Sequence, residues 1–413
     1  MIYKSSHYVV SPYKFRTGNF EPNEVGKDIL SFITTSPADS TFEGLIKNLT
    51  SIYDVDIQIL EADARTFIND CINRDILVNR DLQLEGEAVV NDIHKIQQSI
   101  PELTIDKFGY LATLGEPWTP GCQSCSRGKW AVFSVGIGCN VECWFCPYTG
   151  GQEKERLDQS QGIHGGIEHI SFMGMRFSFQ ELKLQFSLIA DKFDAFAWIG
   201  GEPMMPQVLA DTLPLIKYFG ETYPDYHQWM YTNGSFATKE NMQRLYDAGI
   251  RELRFNLAAV GFGRKVISRM KEAKQIFPYV CMEIPMTKDN YEGLMAHHKE
   301  ILDTGLDQMN LAEFMVGKNH IDNGSALSKE GKLYNFKGFI CSPVASRQYT
   351  YKIIKKAAEE KWPVVINDCS NEYKYYKLSI QENKGVNIFQ GRVGYWNNYY
   401  RLADIDDFNE KLQ

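Results

Sequence analysis

From Lys129 to about Ser370 the chain alternates short runs of strand-forming residues with longer segments of helical period, and nothing else in it limits the fold as much. The strand candidates are Trp130–Val135, Ala195–Ile199, Gln228–Thr232, Glu252–Leu257, Val280–Pro285 and Gln308–Phe314. Between them the spacing predicts helices over Phe179–Lys192, Gln207–Gly220, Lys239–Ala248, Lys265–Phe277 and Leu294–Leu306. Parallel strands cannot be joined by a tight turn; each needs a long crossover, usually a helix. The alternation therefore predicts an α/β fold around a parallel sheet. A further helix, Ser346–Lys361, leads to an apolar strand, Pro363–Ile366, and then to Cys369.

Directly after the first strand stands Cys139-Asn-Val-Glu-Cys143-Trp-Phe145-Cys146. Three thiolates on one short loop are one too few for the usual four-cysteine ligation of a [4Fe–4S] cluster, so one iron would stay open to a small molecule. A zinc knuckle would need a second paired motif, and Cys122 and Cys125 in Gly121-Cys122-Gln123-Ser124-Cys125 make that conceivable. A disulfide framework is excluded: nine cysteines are few for 413 residues, and Met1 to His7 contain no apolar secretion segment. The expected compartment is the reducing cytoplasm. After the second strand comes Gly200-Gly201-Glu202-Pro203, and after the third Tyr231-Thr232-Asn233-Gly234. By the period of two, Arg254 and Asn256 share one face of the fourth strand, as Cys281, Glu283 and Pro285 do on the fifth.

The C-x3-C-x2-C run with Phe145 before its last cysteine, followed one β/α unit later by Gly200–Pro203, resembles the radical S-adenosylmethionine (AdoMet) superfamily. The resemblance implies a partial (β/α)6 barrel, with ligand groups at the C-terminal ends of the strands. It also implies a [4Fe–4S] cluster on Cys139, Cys143 and Cys146, whose open iron chelates AdoMet. Phe145, Gly200, Gly201, Glu202, Pro203 and Asn233 are then AdoMet contacts. Asn256 is assigned to the ribose, Arg254 to the carboxylate and Glu283 to ribose or substrate. The cysteines outside the cluster loop leave two readings. Cys122 and Cys125 hold a second cluster, with Cys341 or Cys369 as third ligand, or one of the late cysteines is a free thiol beside the substrate. Peptide epimerases of this superfamily quench a Cα radical with such a thiol; Cys369 is the first choice here, with Cys341 and Cys281 behind it.

Residues 1–80 read as a separate module: strands at Tyr8–Tyr13 and Ile29–Thr34, then helices carrying Leu45, Ile46, Leu49 and Ala64, Ile68, Cys71, then a strand at Asp75–Val78. This order resembles the PqqD-like winged-helix domain of ribosomally made peptide pathways, in which a leader peptide adds as a strand to an open edge. A DNA-binding winged helix fits less well, because Glu61, Asp63, Asp70 and Asp75 offer phosphates no cations. The remaining boundaries are a linker at 81–128, read as irregular chain to Pro120, a barrel at 129–318 and a C-terminal region at 319–413. The net charge of −8 argues against a nucleic-acid partner, and no apolar run is long enough for a membrane span. The resemblance thus implies a peptide maturase, with epimerisation as the leading outcome and ring-forming crosslinks together about equal to it, served by a flavodoxin or ferredoxin. Its alternatives are a radical crosslinking enzyme, an enzyme acting on a small molecule or RNA, and an iron–sulfur regulator.

Overall fold

The structure is a computed structural model that describes residues 8–10, 22–36, 40–73, 76–106, 111–136, 138–146, 169–172, 175–316, 320, 326–336, 340–374 and 376–377. Most of the tyrosine- and asparagine-rich C-terminal segment lies outside the described residues.

The predicted alternation is present. Strands β5 (Trp130–Ser134), β8 (Ala195–Ile199), β9 (His227–Thr232), β10 (Glu252–Phe255), β11 (Tyr279–Met286) and β12 (Gln308–Glu313) pair in parallel in chain order. A seventh, β15 (Val365–Cys369), adds in parallel beside β12. Antiparallel strands extend both ends: β4 (Ala112–Leu114) and β3 (Leu103–Ile105) beyond β15, and β6 (His169–Phe172) and β7 (Met175–Ser178) beyond β5. The eleven-stranded order β3-β4-β15-β12-β11-β10-β9-β8-β5-β6-β7 is open at both edges, as a partial barrel requires.

One face of this sheet is hydrocarbon. Phe133 of β5 lies 5.5 Å from Phe196, 5.0 Å from Trp198 and 4.9 Å from Phe219, ring centre to ring centre. Phe219 comes from the helix Pro206–Thr222, so the same contacts fix that crossover on the sheet. Each buried ring contributes on the order of 2 kcal/mol by removal from water. The other face is apolar along β5, β8 and β9, where Trp130 and Trp229 pack together, and polar along β10 to β12; it is covered by the short helix Pro120–Ser126. Its Gly121 lies so close to β10 that a Cβ there would stand 2.6 Å from Arg254 Nη2 and 2.8 Å from Glu252 Oε2.

Two expectations are corrected. Ile29–Thr34 is not a strand but part of helix α1 (Glu24–Thr35). Asn23 caps it by accepting from the Gly26 amide at 2.8 Å, and Ile29 and Ile33 are buried at helical spacing. The segment read as irregular linker holds α4 (Arg80–Gln98), β3 and β4. Elsewhere in the first module, α2 (Phe42–Ile52) and α3 (Ile57–Asn73) fall where the apolar spacing put them. β1 (Tyr8–Val10) pairs antiparallel with β2 (Leu77–Asn79) in a sheet of their own, while Tyr13 and Asp75 lie outside the described residues. No described helix is long and apolar enough to cross a membrane.

α4 is fastened to the barrel by a buried polar network. Gln97 donates to Tyr351 Oη at 2.6 Å, Tyr351 donates to Asp368 Oδ2 at 2.7 Å, and Arg347 pairs with the same oxygen at 2.6 Å. His94 meets Glu372 at 3.0 Å. Arg347 and Asp368 are each 1% exposed. Removing one partner of such a pair strands the other charge without water, so Asp368→Ala is expected to cost about 3–5 kcal/mol in urea denaturation. Asp368→Asn, which keeps an acceptor for Tyr351, is expected to cost less.

Candidate functional site

Three loops converge at the C-terminal ends of β5, β8 and β9. β5 runs into the cysteine loop, and the turn after β8 is stitched to that loop by backbone hydrogen bonds. The Gly201 amide donates to Gly136 O at 2.8 Å, and the Glu202 amide donates to Gly138 O at 2.9 Å. Gly200, at φ 156°, has no room for a side chain: a Cβ would stand 2.6 Å from Gly136 O.

Glu202 is fully buried. It accepts from Thr232 Oγ1 at 2.7 Å, the Met204 amide at 3.0 Å and the Asn233 amide at 2.5 Å. Asn233 in turn donates to Asn140 Oδ1 at 2.9 Å and approaches Cys139 Sγ at 3.7 Å. Glu202, Asn233 and Cys139 thus form one continuous chain of contacts. Burial pushes the Glu202 carboxyl up from 4.5 to about 7, although all three donors favour its ionised form.

That shift has a sign that can be tested. Between about pH 4.5 and 7 the folded state holds a proton that the unfolded state has released, so stability falls as pH rises through this window. The amplitude is roughly 3 kcal/mol at 1.4 kcal/mol per pKa unit. Because Glu330, raised by burial to about 7, adds to this slope and His320, lowered by burial to about 4, opposes it, the expected result is a difference: urea denaturation of the metal-free protein and of Glu202→Gln should diverge across this range by about that amount.

The cysteine loop turns back at Cys146, whose amide donates to Cys143 O at 2.9 Å. Burial first, then the neighbouring Cys146 and Cys139 thiolates, push the Cys143 thiol up to about 12. Among the described residues no three ligating side chains close on one point, as they do round a single ion. A cubane cluster asks for something different, since each thiolate takes its own iron. One loop at a strand end carrying three thiols, each short of full burial, fits that group.

Behind the loop, Phe145, Phe314, Val316, Leu327 and Leu333 form an apolar patch that also packs Cys143, Trp144 and Cys341. Cys341 therefore stands beside the cluster loop, not in the barrel interior, and burial pushes its thiol up to about 12. His320 braces the loop from below, with its ring 5.0 Å from Phe314. Burial lowers its pKa to about 4 against hydrogen bonds to the backbone of Phe145 and Cys146. Asn256 caps the turn that follows β10 by accepting from the Ala259 amide at 3.2 Å, and Cys143 Sγ lies 3.9 Å from Ala259 O.

The remaining predicted residues lie in the barrel interior. Arg254 is 3% exposed and fully engaged: Nε to Glu252 at 2.7 Å, Nη1 to Glu283 and to Tyr231 Oη at 3.0 Å, and Nη2 to Cys122 Sγ at 3.4 Å. Burial would push Glu252 up, but Arg254 and His227 together hold it at about 2. Cys281 points at Glu252 and Thr119. Cys122, Cys125 and Cys369 line one cavity of about 50 Å³ with Arg254, Glu283, Asn310, Asn367, Tyr231, Tyr373 and Lys377. Thr232 stands inside the Tyr231–Gly234 run without a role assigned from sequence, and nothing in the sequence marks His320 or Lys377, whose roles depend on partners distant in the chain.

No protein-family model matches the chain. Over 274 residues it is 24% identical to a Methanocaldococcus jannaschii protein with the provisional name glycyl-radical enzyme activating enzyme. That match spans 64% of this chain and 66% of the relative, just under two thirds of its length. Among solved structures, the fold is similar to Streptococcus suis SuiB bound to precursor peptide SuiA, with a TM-score of 0.40 and 11% identity over 89% of this chain and 72% of that one. For SuiB bound to S-adenosylmethionine the values are 0.38 and 11%, over 89% and 71%. The three-thiol loop stitched to a Gly-Gly-Glu-Pro turn at the strand ends of a parallel sheet is the arrangement that the resemblance to radical AdoMet enzymes implies, and the chain is similar in sequence to this activating-enzyme relative.

Proposed function

We propose that the protein is a radical AdoMet enzyme that takes a hydrogen atom from a residue of a ribosomally made precursor peptide, with L-to-D epimerisation as the outcome. The observation that carries the first half is the continuous contact from Cys139 through Asn233 to the buried Glu202. A [4Fe–4S] cluster held by Cys139, Cys143 and Cys146 would supply the electron that splits AdoMet into methionine and a 5′-deoxyadenosyl radical. Around it the chain's own groups bind and orient. Glu202 offers a carboxylate to the AdoMet amino group, and Gly200 and Gly201 let the backbone come close. Asn233 and Asn256 stand on the strand ends beside the same loop. Arg254 and Glu283 present their pair from the interior towards the substrate side.

The peptide half rests on the first module, whose two-stranded sheet pairs β1 only with β2 among the described residues. An open edge of this kind accepts a leader strand. Cys369 is the proposed hydrogen donor, because it ends β15 at the polar cavity. Its electron donor would be a flavodoxin or ferredoxin of the cytoplasm. A second reading is favoured by the named relative: this chain would place a radical on a glycine of a partner enzyme. Both readings take hydrogen from a polypeptide.

Anaerobic turnover in D2O of the reconstituted enzyme with AdoMet and a short peptide encoded beside the gene separates them. A gain of one mass unit per modified residue supports epimerisation, and a loss of two would replace it with an oxidative crosslink. An organic radical signal on a large partner protein, with the peptide unchanged, would establish the second reading. Absence of 5′-deoxyadenosine would end both.

A further inference from the structure

The barrel interior holds three thiols whose surroundings differ from those of a packed core. Cys122 and Cys125 are three residues apart on the helix Pro120–Ser126, so both face the same side, and Cys369 meets them across one cavity. Cys125 Sγ accepts from the Lys377 ammonium at 3.0 Å. Lys377 is 7% exposed, with Tyr373 and Trp130 rings 4.5 and 5.5 Å from its nitrogen. Cys122 Sγ accepts from Gln308 Nε2 at 2.9 Å and from Arg254 Nη2 at 3.4 Å. Each sulfur of the C-x2-C pair therefore has a buried cation beside it: burial raises both thiols, while Arg254 and Lys377 work against that rise and hold the charge of a thiolate once its proton is lost. A pair kept only for packing needs no such partners.

We propose that Cys369, Cys125 and Cys122 form a thiol relay that delivers the hydrogen atom to the substrate radical and stores the resulting oxidation as a disulfide. The inference rests on the donor role given to Cys369 above. The Cys369 S–H bond breaks as a C–H bond forms on the substrate carbon, leaving a thiyl radical. Cys125, having released its proton to water and with its charge held by Lys377, bonds to that sulfur. The surplus electron leaves to a one-electron carrier of the flavodoxin or ferredoxin class. Cys122, as thiolate, then displaces Cys369 from Cys125, and Cys369 takes back a proton. In sum, two thiols and one carbon radical give a C–H bond, a disulfide, one proton and one electron. A dithiol protein of the thioredoxin class returns the disulfide to two thiols, so the enzyme consumes one dithiol equivalent per product.

The test does not require a loaded enzyme. The full chain is equilibrated anaerobically in mixtures of reduced and oxidised dithiothreitol, quenched with acid, alkylated under denaturing conditions and mapped by mass spectrometry. A two-electron transition joining Cys122 to Cys125 is expected. Cys122→Ser should move the bridge to Cys125–Cys369, Cys369→Ser should leave it in place, and Cys125→Ser should abolish it. No bridge among the three at any poise overturns the relay. So does retention of about four irons by the reconstituted C139A/C143A/C146A variant, because a second cluster would then occupy the thiols. Missing 5′-deoxyadenosine would instead sink the proposed function and leave the thiol titration unaffected.

Discussion

Replacing Cys139, Cys143 and Cys146 together with alanine is expected to leave a folded protein that binds no catalytic iron and forms no 5′-deoxyadenosine. Cys139 is exposed and the other two are half-buried, so truncating each thiol removes little packed surface. The thermal midpoint should move by only a few degrees, about 1 kcal/mol in a chain of this size. The loss of AdoMet cleavage should be complete, because no other three thiols share a described loop and the open iron exists only when three others are held. Iron analysis, chromatography of the nucleoside products and a circular-dichroism melt decide the matter together. Turnover that survived in a folded triple variant would remove the cluster assignment and everything built on it.

Gly200→Ala is the second large effect, and here the damage is steric. The new methyl group would stand 2.6 Å from Gly136 O and 3.0 Å from Val135 Cγ2. The carbonyl is backbone and already accepts from the Gly201 amide, so it cannot swing aside without loosening the loop that carries Cys139. A destabilisation of about 2–4 kcal/mol is expected, with AdoMet affinity down at least tenfold. Gly261→Ala makes the control. That residue also has a positive φ, 58°, but a Cβ there would meet nothing within 4 Å, so only the conformational cost of about 1–2 kcal/mol applies. Equal losses in the two variants, measured by denaturation and by calorimetric titration with AdoMet, would mean that the clash with Gly136 is not what Gly200 avoids.

What could be read in advance was local. The six central strands and their crossover helices announced themselves through periods of two and 3.6, and their observed bounds lie within a few residues of those predicted, except that the last of these helices starts at Lys288 and not at Leu294. The cysteine loop and the Gly200–Pro203 turn are short spacings on contiguous chain, and the structure brings them together. Misreading arose where composition and context disagreed. Ile29–Thr34 is rich in β-branched residues, yet the Asn23 cap and the burial of Gly26, Ile29 and Ile33 make it helix. In α4 the buried Val90, Ile93 and Gln97 follow helical spacing, but one of the three is polar and the stripe is thin. The interior was legible only in part. Arg254 and Glu283 were found by strand alternation, whereas the engagement of Arg254 with Cys122 joins residues more than a hundred positions apart. Lys377 belongs to a stretch of tyrosines and lysines with no period at all.

The fastening of α4 onto Arg347, Tyr351 and Asp368 also decides where this protein can be divided. The helix leaves the first module at Arg80 and ends on the hydrogen bonds that clamp Asp368, whose neighbour on the strand is Cys369. The seam between the modules therefore falls at the start of a helix and not in a tether. A barrel fragment beginning near residue 80 keeps its own keystone, whereas one beginning after Gln98 leaves Tyr351 and Glu372 without their partners on that helix. Any exchange of the first eighty residues between related chains would have to respect that joint.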